Sequence, residues 1–140
     1  MKADMTTAEY LALQQKTWKE ADFQDHIIGI AHENGWRVAH FRPVRIQRAN
    51  GSVYYATPVA ADGEGFPDLV LVRDRVLFVE VKRENGILEP LQKEWMKALL
   101  TGGAEHFTWR PSDLDNIRRI LSAQPRGKSA TEVYHEGVAQ

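Results

Sequence analysis

Cysteine is absent from the whole chain, which excludes a disulfide framework and a zinc centre held by thiolates. No apolar run is long enough to span a bilayer, and the start of the chain lacks the order of basic, apolar and small residues that marks a secretory signal. From these absences we expect a cytoplasmic protein. A surplus of one charge is missing too: 18 Lys and Arg face 19 Asp and Glu, a formal net charge of -1. Any contact with a polyanion must therefore use a local basic patch rather than the overall field of the molecule. Internal repeats and low-complexity segments are also lacking. What is present is 43% hydrophobic and 26% charged residues in a chain of 140, the composition of a globular protein large enough for a real core.

The remaining pattern is organised around Gly65 to Lys82. Two apolar, β-branched runs, Leu69 to Val72 and Val76 to Val81, flank the polar interval Arg73-Asp74-Arg75. That spacing predicts an antiparallel hairpin, and the near-continuous apolar runs predict strands covered on both faces. Asp68, Glu80 and Lys82 stand in this apolar setting, where charge is not buried unless it is paired or binds something. With residues 73 to 75 as the loop, Val72 faces Val76, Val70 faces Phe78, and Asp68 falls opposite Glu80. Their Cβ atoms would then be about 5 Å apart. Two carboxylates so close ask for a cation. Lys82 points to the same face by the period of two, but a divalent metal ligated by oxygen fits better.

Gly65-Phe66-Pro67-Asp68 followed by Glu80-Val81-Lys82 resembles the PD-(D/E)XK nuclease signature, and within it the VRR-Nuc branch, of a stand-alone phage or bacterial type. The resemblance extends from about Glu20 to Leu100 and includes a preceding helix with Glu20 and Gln24 and a following helix with Gln92. It implies an α/β (α+β) fold: a restriction-endonuclease-like core in which helices flank a central mixed four-stranded sheet, in αβββαβ order. To this core we add an inserted β-hairpin and an extra N-terminal helix. We read residues 1–140 as a single nuclease domain, with its core at about 17–123, the N-terminal helix in 1–16 and a tail over 124–140.

Along the chain, Thr6-Thr7-Ala8-Glu9 and Thr17-Trp18-Lys19-Glu20 both match the capping box that starts a helix. In the second helix Phe23, Ile27, Ile30 and Ala31 recur at helical spacing, and Asn34-Gly35 ends it. Glu20, Gln24, Ile27 and Ala31 share a stripe, so Glu20 is either the third residue of the cap or an acid facing Asp68 and Glu80, and both roles are compatible. Trp36 to Arg42 alternates as a strand, and His40 reads as a packing residue. Asn50-Gly51 lies between Val44–Arg48 and Ser52–Ala56 as the strongest short hairpin signal in the chain. Arg42, Arg45 and Arg48 with Tyr54 and Tyr55 make this arm a candidate for phosphate contact and base stacking; the alternative is a solvated hairpin with ordinary arginines. Pro90 opens a helix expected to bury Leu91, Trp95, Ala98 and Leu99. A last strand, Glu105 to Trp109, and a helix with Leu114, Ile117, Ile120 and Leu121 complete the pattern.

The resemblance implies a metal-dependent deoxyribonuclease. Asp68, Glu80, Glu20 and the Val81 main-chain carbonyl would ligate Mg²⁺, with Mn²⁺ substituting; Lys82 would serve the attacking water and Gln92 would assist. It further implies an endonuclease selective for branched DNA such as Holliday junctions, working as a homodimer, in the bacterial host cell if phage-encoded. The alternatives are a nicking enzyme or exonuclease of phage or restriction DNA metabolism, and a non-catalytic nucleic-acid-binding module of nuclease-like fold.

Overall fold

Four strands make the central sheet of the computed structural model, which describes residues 4–126. The elements run α1 (Thr7–Thr17), α2 (Glu20–Glu33), β1 (Arg37–His40), β2 (Val44–Gln47), β3 (Val53–Ala56), β4 (Leu69–Val72), β5 (Val76–Val81), α3 (Pro90–Thr101), β6 (Glu105–Trp109) and, after a 3₁₀ turn at Pro111–Asp113, α4 (Leu114–Ser122). The sheet order is β1-β4-β5-β6, and β2 with β3 forms a separate two-stranded sheet. β1, β4 and β5 are antiparallel, whereas β6 joins β5 in parallel after the α3 crossover. This is the α+β, mixed-sheet architecture of the nuclease-like fold, with the inserted hairpin and extra N-terminal helix in the expected places. Among the described residues no helix is long and apolar enough to cross a membrane.

The first capping box forms as read: the Thr6 N–H donates to the Glu9 carboxylate at 2.8 Å, and the Glu9 N–H donates to the Thr6 hydroxyl at 3.1 Å. The second does not form. Thr17 is the last residue of α1, and its hydroxyl donates back to the Leu13 carbonyl at 3.0 Å. α2 begins with Lys19 as its N-cap and no side-chain cap, so Glu20 is the first helical residue rather than the third of a box. Its carboxylate, like that of Asp22, still sits at the positive end of the helix dipole.

Strand alternation gives the sheet two unlike faces. Leu69, Leu71, Leu77, Val79, Val81 and Trp109 point to one face and are buried with Phe23, Ile27, Ile30 and Ala31 of α2 and Ile117 and Leu121 of α4. Val70, Phe78 and Glu80 point to the other, where α3 lies. This second side is thin. Contrary to the expectation from its apolar spacing, α3 buries none of its residues: Leu91 is 40% exposed, Ala98 is exposed, and Trp95 and Leu99 are half-buried. α3 lies beside β6, the edge strand of the four-stranded sheet, and among the described residues its outer side faces solvent. Its anchor is Phe66, whose ring meets Phe41, Phe78 and Trp95 edge-on with centroids 5.4, 6.0 and 5.0 Å away.

The β4–β5 turn is tied down by Arg73. Its guanidinium donates to the carbonyls of Asn34, Leu121 and Ala123, pairs with Asp74 at 2.7 Å and lies 4.5 Å from the Trp36 ring. A cation thereby meets the carbonyl ends of both α2 and α4. Past Ala123 the Arg126 N–H donates to Asp74; the rest of the expected tail, residues 127–140, lies outside the described residues. Arg73→Ala is expected to lower unfolding free energy by about 2 kcal/mol, because three main-chain carbonyls, two of them part-buried, and Asp74 lose a charged donor together. Urea titration of both proteins checks this.

Candidate active site

β4 starts only at Leu69, opposite Val79, while antiparallel β5 runs on to Val81. The Val81 N–H therefore has no strand partner on its β4 side, and the Asp68 carboxylate takes that place, accepting it at 2.8 Å. Pro67 precedes it with no N–H to offer, and the Asp68 carbonyl accepts the Phe41 N–H at 3.0 Å. The Asp68 carboxylate is close enough to Glu80 for its charge to act on it. The register Leu69↔Val79, Val70↔Phe78 and Val72↔Val76 is the one expected from the turn, and it brings Asp68 against Glu80.

Glu80 is 2% exposed. One of its oxygens accepts the Gln92 side-chain N–H at 3.0 Å and lies 3.6 Å from the Lys82 ammonium. Burial, and then the neighbouring Asp68 carboxylate, push the Glu80 pKa up to about 9, against the opposing pull of Lys82. Glu20 is shifted upward as well, by burial first and by Asp68 second.

Each part has a local reason to be where it is. Gln92 is oriented by α3's own start: its side-chain oxygen accepts the Glu89 N–H at 2.9 Å, which leaves its amide hydrogens for Glu80. Gly65 has φ +85°, and a Cβ there would come within 2.7 Å of the Leu91 carbonyl carbon. Only glycine lets the loop before Asp68 pass this close to α3. Lys82 is buried, and a Cβ at Gly86 would stand 3.3 Å from its stem.

Glu20, Asp68, Glu80, Lys82 and Gln92 line one cleft of about 630 Å³, together with Phe41, Glu89 and Tyr55. Glu20 enters from the first turn of α2, at the end of the sheet. The Val81 side chain is buried on the opposite, core face. Among the described residues no three His, Asp or Glu side chains converge as a preformed cation cage; the close pair is Asp68 with Glu80.

The arm residues do not form one patch. Tyr55 is 68% exposed and belongs to the cleft, with Arg45 opposite it. Arg48 lies over Tyr54 on the other side of the hairpin, 4.0 Å from the ring centroid. Arg42 is exposed between β1 and β2. The turn is also not the two-residue type that Asn-Gly usually makes. Gly51 alone has positive φ, the Gly51 N–H donates to the Arg48 carbonyl and the Arg48 N–H to the Ser52 carbonyl, so residues 49–51 form the loop.

One contact was not anticipated: a His40 ring nitrogen stands 2.9 Å from the side-chain oxygen of Gln24, one helical turn after Glu20. Burial, and then Arg42, lower the His40 pKa. The signal was the Glu20–Gln24 stripe taken together with the alternation that turns His40 toward α2.

The VRR-NUC domain model matches residues 14–109. The chain belongs to the VRR-NUC family. It is accordingly a nuclease domain with DNA as its substrate. The VRR-NUC match starts within α1 and stops at the end of β6, so it contains every residue of the cleft and leaves out α4. No match was found among curated proteins or solved structures.

The raised Glu80 pKa makes stability depend on pH. Between the ordinary carboxyl range and about 9 the folded protein holds a proton that the unfolded chain has lost, so stability falls as pH rises through that window and levels off above it. In chelator-treated buffer, the melting temperature of Glu80→Gln is expected to decline less than wild type between pH 6 and pH 9 (on the order of that window). Parallel slopes for the two proteins would contradict the assignment.

Proposed function

We propose that this protein is a Mg²⁺-dependent endonuclease, a single nuclease domain that cuts branched DNA such as four-way (Holliday) junctions and works as a homodimer. The observation that carries the reading is the buried Glu80 carboxyl held against Asp68, a pairing that a divalent cation would relieve. The donors are hard oxygens, which suit Mg²⁺ or Mn²⁺. Asp68, Glu80 and the Val81 main-chain carbonyl would hold the ion, with Glu20 completing the set. When bound, the metal supplies positive charge for the phosphoryl oxygens and lowers the pKa of water.

The protein's own groups have separable tasks. Lys82, fixed by its packing and by Glu80, orients the attacking water and stabilises negative charge building on the scissile phosphate. Gln92 keeps the Glu80 carboxylate in one orientation through the amide that α3's first turn has already set. Asp68 is oriented in the same way by the Val81 N–H. Arg42, Arg45, Arg48, Tyr54 and Tyr55 bind the DNA, arginines at phosphates and tyrosines at bases or sugars. One small cleft per chain makes one incision, so paired cuts across a junction call for two chains related by two-fold symmetry.

Asp68→Ala and Glu80→Ala are each expected to remove Mg²⁺-dependent cleavage, by more than about 100-fold, while the circular dichroism stays that of the wild type. Wild type and variants are compared on linear duplex, single-stranded, flap and four-way-junction DNA with Mg²⁺, Mn²⁺ or chelator. Wild-type cutting that starts at ends or stops at single nicks would favour an exonuclease or nicking enzyme. Tight binding with no metal-dependent cutting would favour a binding module. In a separate experiment, replacing both Arg45 and Arg48 with Gln should reduce the slope of log affinity against log salt by about one for each phosphate that the arm no longer neutralises. An unchanged slope would exclude the arm from phosphate binding.

A further inference from the structure

The loop between β5 and α3 turns alternate residues inward and outward. Glu84, Gly86 and Leu88 are half-buried, whereas Arg83, Asn85 and Ile87 are exposed. The inward side is tied to the fold: the Glu84 carboxylate accepts the Ser112 N–H at 2.9 Å, and the Arg110 guanidinium donates to the Gly86 carbonyl from two nitrogens, at 2.9 and 3.2 Å. The Gly86 N–H closes a turn onto the Arg83 carbonyl at 2.9 Å. Both tying residues, Arg110 and Ser112, lie beyond the part of the chain that the VRR-NUC model matches.

A loop held this way keeps its outward side chains in place as well. Ile87 is 78% exposed, the highest value of any large apolar side chain among the described residues. Single exposed apolar residues are ordinary, but this one stands between Lys82 and Glu89, which both line the cleft, and next to Gly86, which packs against the Lys82 stem. Arg83 is near enough for its charge to act on Glu20. The loop is thus part of the rim that a duplex meets when one of its phosphates lies at Asp68 and Glu80. A single strand of loop is narrow enough for the minor groove, about 6 Å wide, whereas the major groove admits a helix or a ribbon. Proteins that bind the minor groove combine Arg and Asn at the base edges with an apolar side chain pushed between two bases.

Resting on the nuclease reading above, we infer that Ile87 is a wedge that enters a base step from the minor groove beside the scissile phosphate, on a loop that turns Arg83 and Asn85 toward the same groove. Because the ties at Glu84 and Gly86 fix the loop before DNA arrives, little freedom is lost on insertion. Pyrimidine–purine steps unstack most easily. The wedge therefore favours deformable sequence without a hydrogen-bond code.

The test is the fluorescence of 2-aminopurine, which rises when the base unstacks. It is placed at successive positions along a linear duplex and along one arm of a four-way junction, each with a single TA step, and read in chelator with the full chain at saturating concentration. Wild type should raise the emission, most strongly at the TA step, and Ile87→Ser should lose the rise. Ile87→Met, still an apolar wedge, should keep it. Leu100→Ser removes another exposed apolar side chain, near the far end of α3, and should leave the rise unchanged. The inference is overturned by a wild type that raises emission at no step or equally at every step, by an Ile87→Ser that keeps the rise, by an Ile87→Met that loses it, or by a Leu100→Ser that loses it too. A rise that depends on Ile87, in a protein that does not cut in Mg²⁺, would uphold the wedge and sink the nuclease mechanism instead.

Discussion

Two carboxyl groups held against each other under cover of protein are the constraint on which the arrangement of this molecule depends. Glu80 is almost wholly buried and the half-buried Asp68 is held by the Val81 N–H, so the two groups stay side by side. Burial first, and then the Asp68 charge, favour a proton on Glu80 over a bare carboxylate despite the neighbouring Lys82, which is why its pKa is so far above the ordinary range.

The surrounding fold serves to keep that pair in place. Leu69, Leu71, Leu77, Val79 and Val81 anchor the hairpin through one face, so the opposite face can carry charge at its end. Phe66 and Gly65 bring α3 close, and α3's first turn presents Gln92 to Glu80. Because the α3 side is thinly covered, the cleft opens on the side of the sheet where the arm stands. The family match, which ends with β6, spans all of these parts.

The hairpin register was legible because the polar interval Arg73-Asp74-Arg75 leaves one pairing that buries both apolar runs. Glu20 was legible as part of a helical stripe with Gln24, Ile27 and Ala31. The second capping box was misleading: Thr17-Trp18-Lys19-Glu20 has the right letters, but Thr17 already closes α1 and cannot also open α2. The burial expected for Leu91 and Ala98 failed for another reason. Apolar spacing predicts which side of a helix faces the protein, not how much protein is there to cover it.

By itself, the sequence determined the order of the elements, the facing of Asp68 and Glu80, the side on which Lys82 lies and the presence of an arm, because these follow from periods of two and 3.6 along a local stretch of chain. Only the tertiary structure decided what joins residues distant in sequence. Asp68 bonds to Val81 because β4 stops short of the end of β5. Arg73 binds the ends of two helices. His40 meets Gln24, and the arm's arginines divide between two sides. Such contacts depend on where elements stop and how they pack, and no periodicity along the chain encodes that.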